Sequence, residues 1–310
     1  MYNSFMKILY ISGNQRSEQF PWLTDYQDDC LLLGLKELFG DEVVDCNKRF
    51  HLYSDYSDDQ LATEYGRGFT VCRNITSDDA DREDITKKIR NKYFDYVIYG
   101  SIWRCQDHLQ LVLENYDKKK IVFVDGEDTN AFDEDRVKDG VVYFKRELYP
   151  DQKQVHLQEY MQHVLPISFA FPTNKVNKGQ KKERRIAHSD PRDKKTYVFE
   201  KEYEYYHDYK YSKYAFTMPK AGWDCLRHYE IMGNGCIPLF PDIVNCPRYT
   251  MMRFPKALLT KIIFFEKNDQ KWLDKNYEYF QSEIMDHMLK YNTTKALAEH
   301  IVKELSLINK

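Results

Sequence analysis

Arg227 and Glu230 are the two residues whose types and spacing point most directly to chemistry. They lie in Lys220-Ala-Gly-Trp-Asp-Cys-Leu-Arg-His-Tyr-Glu-Ile-Met-Gly-Asn-Gly-Cys-Ile-Pro-Leu-Phe240, which reads as loop, short helix, glycine turn and buried apolar strand. On a helix, positions i and i+3 share a face, so a guanidinium and a carboxylate point together from a helix entered through a Gly-containing loop. A nucleoside diphosphate has matching needs: backbone N–H groups and a guanidinium for its phosphates, and a carboxylate for its ribose hydroxyls. Lys220, Gly222 and Trp223 in the preceding loop belong to the same candidate site. Gly222 would let backbone approach the ligand, and Trp223 would either stack on it or pack in the core. The plainer reading of Arg227 and Glu230 is a salt bridge between neighbours on one helix, worth little to stability.

A second group of chemistry-bearing residues falls in the N-terminal half. Asp125-Gly-Glu-Asp128 follows the apolar run Lys120-Ile-Val-Phe-Val, a predicted strand of a parallel sheet, and such sheets bind ligands beyond their strand C-termini. Asp125 or Glu127 could take the proton of an attacking hydroxyl, with Asp28 a further candidate. The same three acids could hold a divalent metal, or simply cap a turn bent at Gly126. Arg67, between two glycines in Tyr65-Gly-Arg-Gly-Phe69, is placed to meet an anionic group, and His188 follows a short predicted strand where it could contact a phosphate. His228 sits beside Arg227, where a buried neutral imidazole is the default. No G-x-S-x-G elbow, Walker lysine loop or G-x-G-x-x-G occurs, which argues against hydrolase, kinase and dehydrogenase chemistry.

Arg227, Glu230, Gly235, Cys236, Ile237 and Pro238 reproduce R-x-x-[DE]-x-x-x-x-G-C-[IV]-P, and here the chain resembles the donor-binding segment of exostosin-like glycosyltransferases. It is also similar to the looser E-x-x-x-x-G-x-P segment of GT-B glycosyltransferases in general. Tyr214-Ala-Phe-Thr-Met-Pro-Lys-Ala-Gly222 resembles the strand and loop that lead into that helix. The close match spans about 25 to 40 residues. One departure is that Asp224, Cys225 and Leu226 stand where the family has small hydroxyl residues. The resemblance implies a UDP-sugar donor, a glycan or glycoconjugate acceptor, inversion at the transferred carbon and no obligatory metal. Retaining enzymes share the looser segment. Two rival readings remain: a metal-dependent GT-A-like transferase using Asp125, Glu127 and Asp128, and a non-catalytic nucleotide- or carbohydrate-binding relative.

These sites need a scaffold, and the apolar patterning supplies one. Strands are predicted at Lys7–Gly13, running into a glycine turn, and at Glu42–Cys46, Phe94–Gly100, Lys120–Asp125 and Val141–Phe144, with helices at Cys30–Phe39, opened by Asp28 and Asp29, at Asp81–Lys92 and at Gln106–Tyr116. Alternating strands and helices imply a doubly wound parallel sheet. The Lys-, Arg- and Asn-rich stretch 173–195 reads as a linker. Beyond it come a short strand at Arg185–His188, the signature segment, a strand or helix at Lys256–Phe265 and helical sequence from about Trp272 to Ile308. The expected fold is therefore α/β and GT-B-like: two Rossmann-like domains, 1–172 on the acceptor side and 173–310 on the nucleotide-sugar side, facing across a cleft, with terminal helices packing back on the first.

Composition limits the partners. A net charge of −3 lacks the basic footprint of a general nucleic-acid binder. The seven cysteines show no C-x-x-C pair or zinc spacing, which suggests a reducing compartment. With no signal-like start and no membrane-length apolar run, the expectation is a cytoplasmic enzyme without a transmembrane segment. Twenty-five tyrosines and eighteen phenylalanines are mostly core packing, but some surface tyrosines could form platforms for sugar rings.

Overall fold

The computed structural model describes residues 6–18, 21–150, 161–177 and 180–309. Among these, short apolar runs form nine strands: β1 (Ile8–Ile11), β2 (Val43–Asp45), β3 (Tyr96–Tyr99), β4 (Ile121–Asp125), β5 (Val142–Lys145), β6 (Val164–Pro166), β7 (Arg184–Ile186), β8 (Ser212–Phe216) and β9 (Ile237–Leu239). The helices of the first half are α1 (Tyr26–Phe39), α2 (Asp58–Ala62), α3 (Ile85–Arg90), α4 (Leu109–Asn115) and α5 (Glu134–Lys138). Those of the second half are α6 (Glu202–Lys210), α7 (Leu226–Gly233), α8 (Lys256–Asn268), α9 (Gln270–Lys275), α10 (Tyr277–His287) and α11 (Thr294–Ile308).

Strands β1–β6 make one parallel sheet in the order β2-β1-β3-β4-β5-β6, and β7–β9 make a second parallel sheet in chain order. Leu9 of β1 pairs with Val44 on one side and Val97 on the other, so the strand order reverses at β1. The crevice beyond that reversal, at the strand C-termini, is where open parallel sheets place ligands. β6 is a strand the sequence reading did not expect. The Lys256–Phe265 segment is helix α8, and the second unit is the smaller, its sheet having three strands.

Helix α1 begins earlier than the sequence suggested. Asp25 is its N-cap, accepting from the Gln27 and Asp28 amides, as a side chain must when the first turn has no backbone partners. Asp28 and Asp29 instead lie buried in the first turn, at 2.9 and 2.6 Å from the Arg49 guanidinium, with His51 Nε2 2.8 Å from Asp29. Cys30 to Leu35 are buried on every side because α1 is sandwiched between the sheet and α11. Gly34 permits that close approach: a Cβ there would come within 2.0 Å of the Thr294 carbonyl oxygen. The terminal helix thus packs back on the N-terminal unit. One apolar cluster runs continuously from Ile8 and Tyr10 through α1 to Tyr214, Ile237 and Leu305, joining the two units through a shared core. No helix among the described residues is long and apolar enough to cross a membrane.

Candidate functional site

A cavity of about 640 Å³ opens between the two units, lined by the loops that leave the C-terminal ends of their strands. From the first unit come Trp22, Asp25 and Tyr26 after β1, Arg104 after β3, Gly126 to Asp128 after β4 and Arg146 after β5. From the second come Lys220 to Gly222, Asp224 to Arg227 and Glu230, all after β8. Tyr65 to Arg67, Phe69, Tyr197, Phe199 and Tyr205 close the sides.

On the second wall, α7 starts at Leu226 behind Cys225, whose side chain makes no capping bond. Arg227, on the first turn, is half-buried and lines the cavity, and its Nε has no hydrogen-bond partner. Its guanidinium lies 5.1 Å over the Tyr197 ring, and among the described residues it forms no ion pair with a carboxylate. The helix-surface salt bridge is therefore not formed. Glu230 is buried and accepts the hydroxyls of Thr70 and Tyr205, the latter at 2.8 Å. Burial raises its pKa, opposed by those two hydroxyls and by Arg227. Lys220 meets the hydroxyl of Tyr65 across the cleft. Gly222 lies against Glu147 and Asp128 of the first unit, and a Cβ there would stand 2.5 Å from Glu147 Oε1.

Arg146, which sequence reasoning did not single out, fastens the two walls. Its guanidinium donates to the Gly126 carbonyl (2.9 Å), the Asp224 carbonyl (2.8 Å), Glu147 (3.1 Å) and Asp128, and lies 4.4 Å over Phe169. Burial opposes its charge, but Asp224, Glu147 and Asp128 outweigh it and raise the pKa. The available signal was Lys145-Arg-Glu147 directly after an apolar strand, a charged run where a parallel sheet opens to ligands. Asp224 accepts the Phe169 amide (2.9 Å) and the Tyr229 hydroxyl (2.8 Å), and burial pushes its pKa up to about 7. Asp25 and Arg104 were also missed: Arg104 Nε lies 3.1 Å from Asp25 and 3.4 Å from Glu127.

Of the residues named from sequence, Glu127, Lys220, Gly222, Arg227 and Glu230 line the cavity, as does Arg67, while Asp125, Asp28, Trp223 and His188 do not. Asp125 is fully buried, and its carboxylate accepts from Trp103 (2.9 Å), Tyr143 (2.8 Å), Lys145 (2.7 Å) and the Glu127 amide (3.1 Å). Its oxygens are fully engaged in holding the turn. Asp28 is buried against Arg49. The Trp223 ring packs 6.5 Å from Phe240, a core role. His188 is exposed after β7, with its amide donating to Asp208 and its ring 6.5 Å from Phe199. His228 is the neutral imidazole expected of a buried histidine. Its Nε2 faces the Trp223 carbonyl at 2.9 Å, so that nitrogen carries the proton, and Nδ1 accepts from Thr217 at 2.7 Å.

The three acids of the metal reading do not converge. Asp125 turns to Lys145 and Asp128 to Arg146. Among the described residues no group of three His, Cys, Asp or Glu side chains comes together to hold an ion.

No protein-family model matches this chain, and no curated protein matches it. Among solved structures it is similar to an alpha-glucosyltransferase in complex with UDP and a 13-mer DNA containing a central A:G mismatch. The identity is 10%, the match covers 98% of this chain and 100% of that one, and the TM-score is 0.45.

Proposed function

We propose that this chain is a GT-B-type glycosyltransferase that moves a sugar from a nucleotide donor, with UDP as the carrier, to a hydroxyl group, with inversion and no obligatory metal. The observation that carries this reading is the Arg227 guanidinium. It lines an interdomain cavity from the first turn of a helix whose leading amides lack a side-chain cap, and it has no carboxylate partner among the described residues. A half-buried cation of this kind is completed by an anion from outside, and a diphosphate at a helix N-terminus meets both the guanidinium and the amides. The resemblance of this segment to exostosin-like donor sites points the same way.

In this mechanism Arg227 and the α7 amides hold the diphosphate, and Lys220 adds a second positive charge at the mouth. Glu230 accepts the ribose hydroxyls, beside or in place of those of Thr70 and Tyr205. Glu127 is the proton acceptor. Asp25 is used as a helix cap and Asp128 is paired with Arg146, whereas the Glu127 side chain is about a third exposed and its one ion-pair partner among the described residues is Arg104, at 3.4 Å. The acceptor oxygen attacks C1 of the sugar as its proton passes to Glu127. The bond from C1 to the phosphate oxygen breaks, and its electron pair stays on the diphosphate, where Arg227 stabilises the developing charge. The seven free thiols suit a cytoplasmic setting.

The test is a UDP-release assay with UDP-glucose, UDP-galactose, UDP-N-acetylglucosamine and UDP-xylose, against a panel of saccharide, peptide and DNA acceptors, with and without EDTA. Sugar transfer that survives EDTA is expected. Failure of every donor to bind or react would remove the proposal.

A further inference from the structure

Three aromatic rings form an unbroken run along the first-unit wall of the cavity. Trp22 lies 5.0 Å from Tyr65, and Tyr65 lies 5.9 Å from Tyr26, whose ring meets Phe169 edge-on at 6.1 Å. All four line the cavity. Tyr65 is 37% exposed and Trp22 and Tyr26 are half-buried, so they present ring surface to the opening rather than to the core. Lys220 of the opposite unit fixes Tyr65 by contacting its hydroxyl and lying 5.0 Å over its ring. The same wall has a polar edge: Asp25, three residues after Trp22, is joined through Arg104 to Glu127.

We infer that Trp22, Tyr26 and Tyr65 are the acceptor platform, and that the acceptor is a neutral carbohydrate whose ring lies on them. The inference rests on the transferase reading above. A pyranose has an apolar C–H face and a rim of hydroxyls. The rings are inclined to one another by 40° and 59°, so they form a cradle in which one ring stacks on the face while the others border it. The Asp25–Arg104–Glu127 edge, which both accepts and donates, matches the rim. A sugar seated there brings a hydroxyl to the carboxylate assigned as proton acceptor. A nucleic-acid acceptor fits less well, because its phosphates need several unpaired cations. On this wall Arg104 is held by Asp25 and Glu127, and Arg146 by Asp128 and Glu147, which leaves Arg67 as a single cation without a carboxylate partner among the described residues.

The experiment is a calorimetric titration of the full chain with neutral gluco-, galacto-, manno- and xylo-oligosaccharides, duplex DNA and a Ser/Thr-rich peptide, each with and without UDP. It is run on wild type, Trp22→Ala and Trp22→Leu, the latter keeping bulk without an aromatic face. One saccharide series is expected to bind with Kd on the order of 1 mM and to weaken about tenfold in the Trp22 variants. UDP should still raise their melting temperature. The platform is overturned if no saccharide binds, if binding is unchanged in the folded Trp22 variants, or if DNA or the peptide binds in a Trp22-dependent way instead. Trp22-dependent saccharide binding in a protein that binds no nucleotide would leave a sugar-binding surface but overturn its role as an acceptor site, together with the transferase reading.

Discussion

The hydroxyl of Thr70, in the first unit, is hydrogen-bonded to the carboxylate of Glu230, on α7 of the second. Thr70 is fully buried and held at φ +75°, a conformation that a β-branched residue rarely adopts. Its hydroxyl also lies 2.7 Å from that of Tyr206, and its amide donates to Glu202. With Tyr205 on the other oxygen, both acceptor atoms of Glu230 are occupied by protein hydroxyls. Each oxygen keeps a second lone pair, so a ribose hydroxyl can join these two donors or replace one of them.

Thr70→Val keeps the shape and removes the hydroxyl. Glu230 is then buried with one oxygen unsatisfied, which costs about 1–3 kcal/mol. The unliganded variant is expected to melt lower than wild type and to bind UDP several-fold more tightly, because the ribose now fills an unmet acceptor. Calorimetric titration and thermal melts check both. Equal or weaker UDP binding in a folded variant would separate Glu230 from the ribose.

Glu127→Gln keeps size and polarity and removes the proton acceptor. Transfer should fall by about 10²–10⁴-fold, with UDP affinity unchanged. Asp125→Asn should behave differently. It removes the charge that offsets buried Lys145, 2.7 Å away, so its main effect should be a lower melting temperature. A variant at Glu127 with full turnover would move the base elsewhere.

Gly222→Ala tests how closely the two walls approach. The added methyl meets Glu147, which is fully buried and held by the Asp224 amide and Arg146, so it cannot move aside cheaply. A loss of about 1–3 kcal/mol in stability is expected. UDP affinity should fall with it, because the displaced loop leads into the first turn of α7, which carries Arg227. Denaturant melts and UDP titration read the two effects.

His228 gives a pH dependence with a definite sign. Burial pushes its pKa down from 6.5 to about 3, aided by Arg227 and opposed by the Trp223 carbonyl. Between those values the unfolded chain binds a proton that the folded chain does not. This contribution is therefore fully present above about pH 6.5 and is lost as pH falls toward 3, at about 1.4 kcal/mol per pH unit. The difference in unfolding free energy between wild type and His228→Gln, followed from pH 7 to pH 5, should shrink accordingly. A constant difference would mean that folding leaves the His228 pKa unshifted, and a difference that grew as pH fell would mean that the fold holds the proton.

Much of the scaffold was legible because its signals are local. The apolar runs at Ile8–Ile11, Ile121–Asp125 and Val142–Lys145 are short, continuous and bounded by charge or glycine, as strands buried on both faces must be. The Arg227–Glu230 spacing placed both residues on one cavity, since a single helix carries them. Positions set by distant contacts were not legible. Asp125 reads like any acid at a strand end, and only the approach of Trp103, Tyr143 and Lys145 shows that it is spent on structure. Arg146 and Thr70 matter through partners 78 and 160 positions away, which no local pattern encodes. The shared core was hidden for the same reason. Its halves look like separate domains until α11 is seen against α1.

The central claim is that Arg227 and the start of α7 hold a nucleoside diphosphate. The most direct measurement is a calorimetric titration of UDP, UMP and uridine, with GDP and ADP for comparison, into wild type and Arg227→Met, with and without EDTA. Because Arg227 forms no ion pair with a carboxylate among the described residues, its removal breaks none. Glu230 loses a favourable nearby charge but keeps the hydroxyls of Thr70 and Tyr205, so the variant should fold. The expected result is UDP binding that survives EDTA, weakens from UDP to UMP to uridine, and falls about 10–100-fold in Arg227→Met, while uridine binding barely changes. No binding of any nucleotide to wild type, or the same UDP affinity in the variant, would contradict it.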